Sequence, residues 1–319
     1  LWSESEQSRI KGSVINRFRG DIALLQSGLD WLESYTGKPV LGVIPYLHSL
    51  HLDAEDALPK NEHAQDQEKV NSNKFTVVVP VVPRISNHTD FDPLRVHPEI
   101  DFKYVRLGEP IPAADLIILP GSKSVRADLN FLIENKWQAA IKRHLRFGGK
   151  VLGICGGYQM LGKLVSDPFG SEGEIGSSEG FSLLNIETTL HKEKQLHNRE
   201  GRLSFCDVSV SGYEIHTGLS EGDACKHAFL HYDSEGEIIP DGAISDCGNI
   251  AGTYWHGLFD KPEALQAILE WAGLPSQHTP DFSLIREQQI DRLADAVETS
   301  MDMDKVLSLL HLNTLGETQ

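Results

Sequence analysis

The chain has 319 residues, 40% hydrophobic and 24% charged, and 29 Lys and Arg against 46 Asp and Glu give a formal net charge of −17. That balance supplies a sizeable core and argues against general binding to nucleic acid or an anionic membrane surface, since both reward a basic face. No apolar run approaches the roughly 18 residues of a membrane span. Leu1–Glu6 has neither the basic nor the apolar region of a signal peptide and is not read as one. The chain begins with Leu rather than Met and is expected to be the later part of a longer protein. None of Cys155, Cys206, Cys225 and Cys247 is spaced C-x-x-C, so no metal site is indicated and all four are expected as reduced thiols in a cytoplasmic protein.

In chain order, Val14–Asn16 is a short apolar run, Ile22–Tyr35 has helical spacing and is stopped by Gly37 and Pro39, and Val40–Pro45 is an unalternating apolar run. The reading is β-α-β, the end of an α/β sheet. The polar stretch 53–73 reads as a linker. A new unit opens with strands at Phe75–Val82 and Asp115–Gly121, an amphipathic helix at Trp137–Phe147 capped by Gly148 and Gly149, and a strand at Lys150–Cys155. Alternating strands and helices predict a mostly parallel sheet flanked by helices. From Phe181 to Ile250 the segments are shorter and more β-like, Leu203–Val210 among them. Helices are expected at Pro262–Ala272 and over Asp281–Leu312.

Gly153-Ile154-Cys155-Gly156-Gly157 fits G-x-C-x-G between an apolar strand and a helix start. A nucleophile elbow needs that context: small neighbours let the chain double back, the turn pushes the side chain out of the sheet, and the helix start favours a thiolate and offers N–H groups to an oxyanion. The bland alternative is a buried structural cysteine between packing glycines. Leu119-Pro120-Gly121-Ser122 ends another strand, and parallel sheets gather their sites at the carboxyl ends of strands. His256, in Tyr-Trp-His-Gly-Leu-Phe-Asp, is the candidate base for a cysteine nucleophile. Gly212-Tyr213-Glu214-Ile215-His216 either lines a pocket or forms an edge strand.

Taken together, Leu-Pro-Gly-Ser-Lys (119–123), Gly-Ile-Cys-Gly-Gly-Tyr-Gln-Met-Leu-Gly (153–162), Gly-Tyr-Glu-Ile-His (212–216) and His-Gly-Leu-Phe-Asp (256–260) resemble the class I glutamine amidotransferases, with their flavodoxin-like α/β fold. Stretches 14–21, 28–33, 36–46, 83–94 and 183–190 resemble the cobyric acid synthase branch, and the resemblance runs from about Gly12 to Gly273.

The resemblance implies glutamine hydrolysis that feeds ammonia to an ATP- and Mg-dependent amidation of the b, d, e and g carboxylates of (adenosyl)cobyrinic acid a,c-diamide in cobalamin biosynthesis. By the same resemblance, residues 1–58 are the tail of a P-loop-type synthetase domain, 59–74 a linker, 75–273 the amidotransferase domain and 274–319 a helical extension. No G-x-x-x-x-G-K-[ST] phosphate loop is present, so ATP and the corrinoid are expected to be held by synthetase residues beyond this chain, and Asn16, in a segment resembling the nucleotide-base-binding region, is not expected to form a working site alone. The glutaminase part needs no cofactor. Carried over by position, Cys155 is the nucleophile and His256 its base. The N–H groups of Gly156 and Gly121 form the oxyanion hole, and Tyr213 and Glu214 belong to the glutamine pocket. Many class I members carry Glu two residues after the histidine, where this chain has Leu258. With no acid at that position, His256 is expected to be oriented by a backbone carbonyl or by a carboxylate distant in sequence, Glu214 being the favoured one, and, without a strong charged partner, glutamine hydrolysis is expected to be slow when no acceptor is being amidated. The other readings are a related amidoligase, such as a cobyrinic acid a,c-diamide synthase or a cell-wall amidating enzyme, and a non-catalytic α/β scaffold.

Overall fold

The computed structural model describes residues 3–48, 50, 52, 74–275 and 279–309. The expected linker lies almost wholly outside the described residues. The chain forms two compact units, Leu1–Leu52 with Leu284–Gln319, and Asp53–Ser283.

In the first unit a short helix, α1 (Glu4–Arg9), precedes β1 (Ser13–Phe18), α2 (Ile22–Thr36) and β2 (Val40–Pro45). The strands pair in parallel with α2 as the crossover, as the sequence predicts. The Asp21 carboxylate accepts from Ala23 N–H at 2.9 Å and starts α2. Gly37, at φ 61°, ends it in the left-handed conformation that glycine adopts at least cost.

The second unit begins with β3 (Phe75–Pro80), β4 (Ile85–Ser86), a 3-10 turn (His88–Phe91), α3 (Asp92–Val96), β5 (Ile100–Val105), β6 (Leu116–Leu119) and β7 (Gly121–Ser122). It continues through α4 (Val125–Glu134), α5 (Trp137–Arg146), β8 (Lys150–Ile154), α6 (Gly156–Leu161), β9 (Leu164–Asp167), β10 (Gly176–Glu179), β11 (Glu187–Leu203) and β12 (Ser209–Glu221). Last come β13 (Leu230–Ser234), β14 (Glu237–Asp241), β15 (Ala243–Ile244), β16 (Ile250–Thr253), β17 (Trp255–His256) and α7 (Pro262–Ala272).

A six-stranded sheet of order β15-β16-β8-β6-β3-β5 is parallel except for β15. Its inner strands β16, β8, β6 and β3 are buried on both faces, which explains their unalternating apolar sequence. Val77, Val79, Ile118 and Leu152 pack in one core with Leu265 and Ile268 of α7. Val78, Ile117 and Val151 pack in the other with Leu129 and Leu132 of α4 and Ile141 of α5. This is an α/β fold with a mostly parallel sheet and flanking helices.

A second sheet, β10-β9-β11-β12-β17 with β13 and β14 attached, is mostly antiparallel. One sequence expectation fails here. Leu203–Val210 is not one strand: Leu203 ends β11, Ser209 and Val210 begin β12, and residues 204–208 turn between them, closed by Leu203 N–H to the Val208 carbonyl at 2.9 Å, with Asp207 at φ 53°. Its apolar residues read as a strand because they pack against the core from a hairpin end.

The C-terminal helices α8 (Phe282–Ser300) and α9 (Met303–Leu309) do not form a separate extension. Asp302 N–H donates to the Leu41 carbonyl at 2.7 Å, and Gly42 bridges Met301, so residues 284–309 complete the first unit along β2. No helix among the described residues is long and apolar enough to cross a membrane.

Candidate active site

Cys155 follows β8 with φ 51° and ψ −109°, a strained conformation for a side chain-bearing residue. The turn is tight. A Cβ on Gly156 would lie 2.9 Å from Ser122 N, and one on Gly157 would run into the Leu119 carbonyl. The predicted elbow is therefore present, with the nucleophile candidate buried at the carboxyl edge of the sheet. Its Sγ lies 3.8 Å from the Ile215 carbonyl of β12.

His256 reaches the same edge by a switch of sheets. Thr253 ends β16 beside Ile154, and Cys155 N–H donates to the Thr253 carbonyl at 2.8 Å. Two residues later Trp255 and His256 leave the parallel sheet and pair with Glu214 and Tyr213 of β12. The imidazole is fully buried, with Tyr213 stacked on it at 5.2 Å and 23°.

The charged partner of His256 is Asp90, on the 3-10 turn after β4. Its Oδ2 lies 2.6 Å from His256 Nδ1, and its Oδ1 accepts from Gly257 N–H at 3.0 Å. Both carboxylate oxygens thus grip adjacent residues and fix the ring. Burial alone would lower the imidazole pKa. The Asp90 charge and hydrogen bond, with Cys155 adding to them, outweigh it and raise the pKa to about 10. Nε2, on the other edge of the ring, has no hydrogen-bond partner among the described residues. The orienting group is thus a carboxylate distant in sequence, one of the two kinds expected, but it is Asp90 and not Glu214, and so close a charged partner removes the ground for expecting a slow basal rate.

Glu214 is not that partner. Along β12, Tyr213 shares a face with His256 as its cross-strand neighbour, and Glu214 takes the opposite face. Glu214 is buried 3.2 Å from Arg199 Nε and 3.7 Å from His216 Nε2. Burial raises its pKa, but His216 and Arg199 together hold it below the usual glutamate value. It lines a cavity of about 900 Å³ shared with Arg199, His216, Tyr232, Asp241 and Tyr254. Burial pushes Asp241 up to about 6 against the hydroxyl of Thr253 and the N–H of Tyr254 that hold it.

The backbone of the expected oxyanion hole divides. Gly156 opens α6, where N–H groups have no helical partner. Gly121 pairs with Ser86, and Ser122 with Ile85, in a two-residue antiparallel ladder. Lys123 N–H donates to the Arg84 carbonyl at 2.9 Å. Antiparallel pairs alternate in hydrogen bonding, so Gly121 N–H is directed at Ser86 and Ser122 N–H away from β4, on a nitrogen 2.9 Å from where a Cβ on Gly156 would lie. Gly121 instead supplies clearance: a Cβ there would lie 3.0 Å from His256 Cε1.

Gln159, one turn after Cys155, escaped the sequence reading. It is buried, donates to the Tyr254 hydroxyl at 3.4 Å, and its Oε1 has no partner among the described residues. Asp90 also escaped, although it lies in the stretch 83–94 that carries the resemblance. The four cysteines are free thiols, and among the described residues no three His, Cys, Asp or Glu side chains are placed to hold a metal ion.

Among solved structures the chain is similar to PurLQS from Thermotoga maritima, at 20% identity over 63% of this chain and 93% of that one, with a TM-score of 0.44. It is similar to a glutamine amidotransferase at 14% identity over 62% and 99%, TM-score 0.45. A further glutamine amidotransferase, from Thermotoga maritima, matches at 15% identity over 73% and 93%, TM-score 0.38. The family model described as a CobB/CobQ-like glutamine amidotransferase domain matches residues 76–264, more than half of the chain and the whole of the parallel sheet except the first residue of β3. The chain belongs to the CobB/CobQ-like glutamine amidotransferase family.

Proposed function

We propose that the second unit hydrolyses glutamine to glutamate and ammonia, with Cys155 as nucleophile, His256 as proton carrier and Asp90 as its orienting carboxylate. The observation that carries this reading is the buried Asp90–His256 pair at 2.6 Å beside a cysteine on a strained elbow. The Cys155 thiolate attacks the side-chain amide carbon, and the carbonyl electrons move to oxygen. Gly156 N–H, and Ser122 N–H in place of Gly121, stabilise that oxyanion. Collapse expels the amide nitrogen, which takes a proton from His256 Nε2 and leaves as ammonia. His256, now neutral, takes a proton from water, the hydroxide attacks the thioester, and Cys155 leaves as thiolate.

Glutamine also presents an ammonium and a carboxylate. Tyr213 covers the His256 side of β12, and Glu214 with Arg199 supplies one charge of each sign on the other. Gln159 Oε1 adds an unused acceptor. Loss of ammonia release on replacing Cys155 by Ser is the direct test, and unchanged release would end the enzyme reading.

The ammonia is assigned to the amidation of cobyrinic acid a,c-diamide carboxylates, as in a cobyric acid synthase. Supporting this are the stretches 14–21, 28–33 and 36–46, which resemble that branch and fall in the β-α-β of the first unit. The first unit is accordingly read as the end of a synthetase domain. ATP and Mg belong to that reaction, but the chain has no phosphate loop to cradle a nucleotide. Amidation of the corrinoid acceptor, assayed with the synthetase residues supplied, separates this reading from that of a related amidoligase.

A further inference from the structure

Asp128 of α4 is fully buried, and a buried carboxylate is costly unless its oxygens are satisfied. Burial raises its pKa against the bonds it accepts. Oδ2 accepts from the Ser122 hydroxyl at 2.6 Å and from Arg84 N–H at 3.2 Å, and Oδ1 lies 3.4 Å from Arg84 Nη1. Ser122 Oγ in turn accepts from Ser124 N–H at 3.0 Å.

These bonds join the two sides of one small ladder. Arg84 leads into β4, Ser122 lies in β7, and each strand has two residues. So short a pair is marginal by itself, yet its alternation decides which way the Ser122 N–H points. Asp128 ties both sides from within the protein.

We propose that Asp128 is a positioning residue: through the Ser122 hydroxyl and Arg84 it fixes the peptide whose N–H stabilises the oxyanion. This rests on the glutaminase reading above. Without the carboxylate the peptide between Gly121 and Ser122 is free to rotate, and the donor turns from the site. The ground-state carbonyl depends on that donor less than the oxyanion does, so the loss falls on kcat rather than KM.

The test compares two reactions of Cys155. Glutamine hydrolysis passes through an oxyanion. Alkylation by iodoacetamide displaces iodide from a saturated carbon and does not, so it reports the elbow and His256 alone. In D128A, kcat for glutamine is expected to fall about 10²- to 10³-fold, the loss typical of one oxyanion donor, with KM within about threefold. Alkylation at Cys155, mapped by mass, stays within about twofold, because it draws on no oxyanion donor. D128N keeps an acceptor oxygen and recovers part of the rate. S122A keeps the backbone N–H but loses the hydroxyl that Asp128 holds, and should show the same split at about tenfold, a partial loss of the same donor; it decides alone if D128A is insoluble. A kcat unchanged in the soluble variants, or alkylation falling in step with kcat, overturns the proposal. A wild-type chain that releases no ammonia overturns the glutaminase reading, and this inference with it.

Discussion

Asp90 and His256 meet at 2.6 Å across 166 residues of sequence, one on a turn beyond the parallel sheet and the other on a strand of the second sheet. Because the second oxygen of Asp90 holds Gly257 N–H, the pair is a rigid clamp rather than a swinging contact.

Replacing Asp90 by Asn tests the clamp. An amide can still bond Nδ1, but it removes the charge and admits the wrong imidazole tautomer. Ammonia release is expected to fall roughly 10³- to 10⁴-fold with the fold retained. A rate within about twofold of wild type would remove Asp90 from the mechanism.

His256 also makes stability depend on pH. Its pKa rises from 6.5 to about 10 on folding, so the folded state holds the proton more tightly. That contribution is complete below pH 6.5 and is lost as pH rises through about 10. The denaturant midpoint should decline across this window, and D90N should flatten the decline. A midpoint that climbs there, or a decline indifferent to D90N, contradicts the pairing.

The thiols separate by reagent. Cys247 is exposed, and its pKa is lowered by the Ser245 hydroxyl at 3.3 Å and by the backbone of Asn249. Burial raises that of Cys225. Iodoacetamide should therefore mark Cys247 as well as Cys155, with Cys225 last. A glutamine-like chloroketone should mark Cys155 alone. Preferential marking of Cys206, Cys225 or Cys247 by the glutamine-like reagent would defeat the assignment.

Glu214 faces the cavity rather than His256, so its replacement should act on binding. For E214Q, KM for glutamine is expected to rise about tenfold, the worth of a charge-assisted hydrogen bond, with kcat little changed. A fall in kcat at constant KM would return Glu214 to the catalytic chain.

The parallel sheet was legible because its inner strands are buried on both faces and write themselves as apolar runs, such as Val77–Val79 and Leu116–Leu119. The elbow was legible because the tight packing around Cys155 tolerates only glycine at Gly156 and Gly157. Asp90 was not. Nothing local marks an aspartate on a 3-10 turn as the partner of a histidine far down the chain, and two residues after His256 the chain carries Leu258 where an acid would have been legible. Glu214 misled because period-2 alternation places it one residue from Tyr213 in sequence but on the other face of the strand. The ladder of Gly121 and Ser122 was equally hidden, since which N–H points inward depends on pairing with Ser86.

The division of the chain changes how it can be dissected. The first unit is discontinuous, so the amidotransferase unit is in effect an insertion within it, spliced between β2 and the helices that β2 needs. A truncation after Gly273 would look harmless to the catalytic half, yet it would strip Met301 and Asp302 from Gly42 and Leu41 and leave β2 with an open edge. Excising the insertion from both sides, at about 74 and 275, spares that edge and yields a piece whose solubility reports on the amidotransferase unit alone.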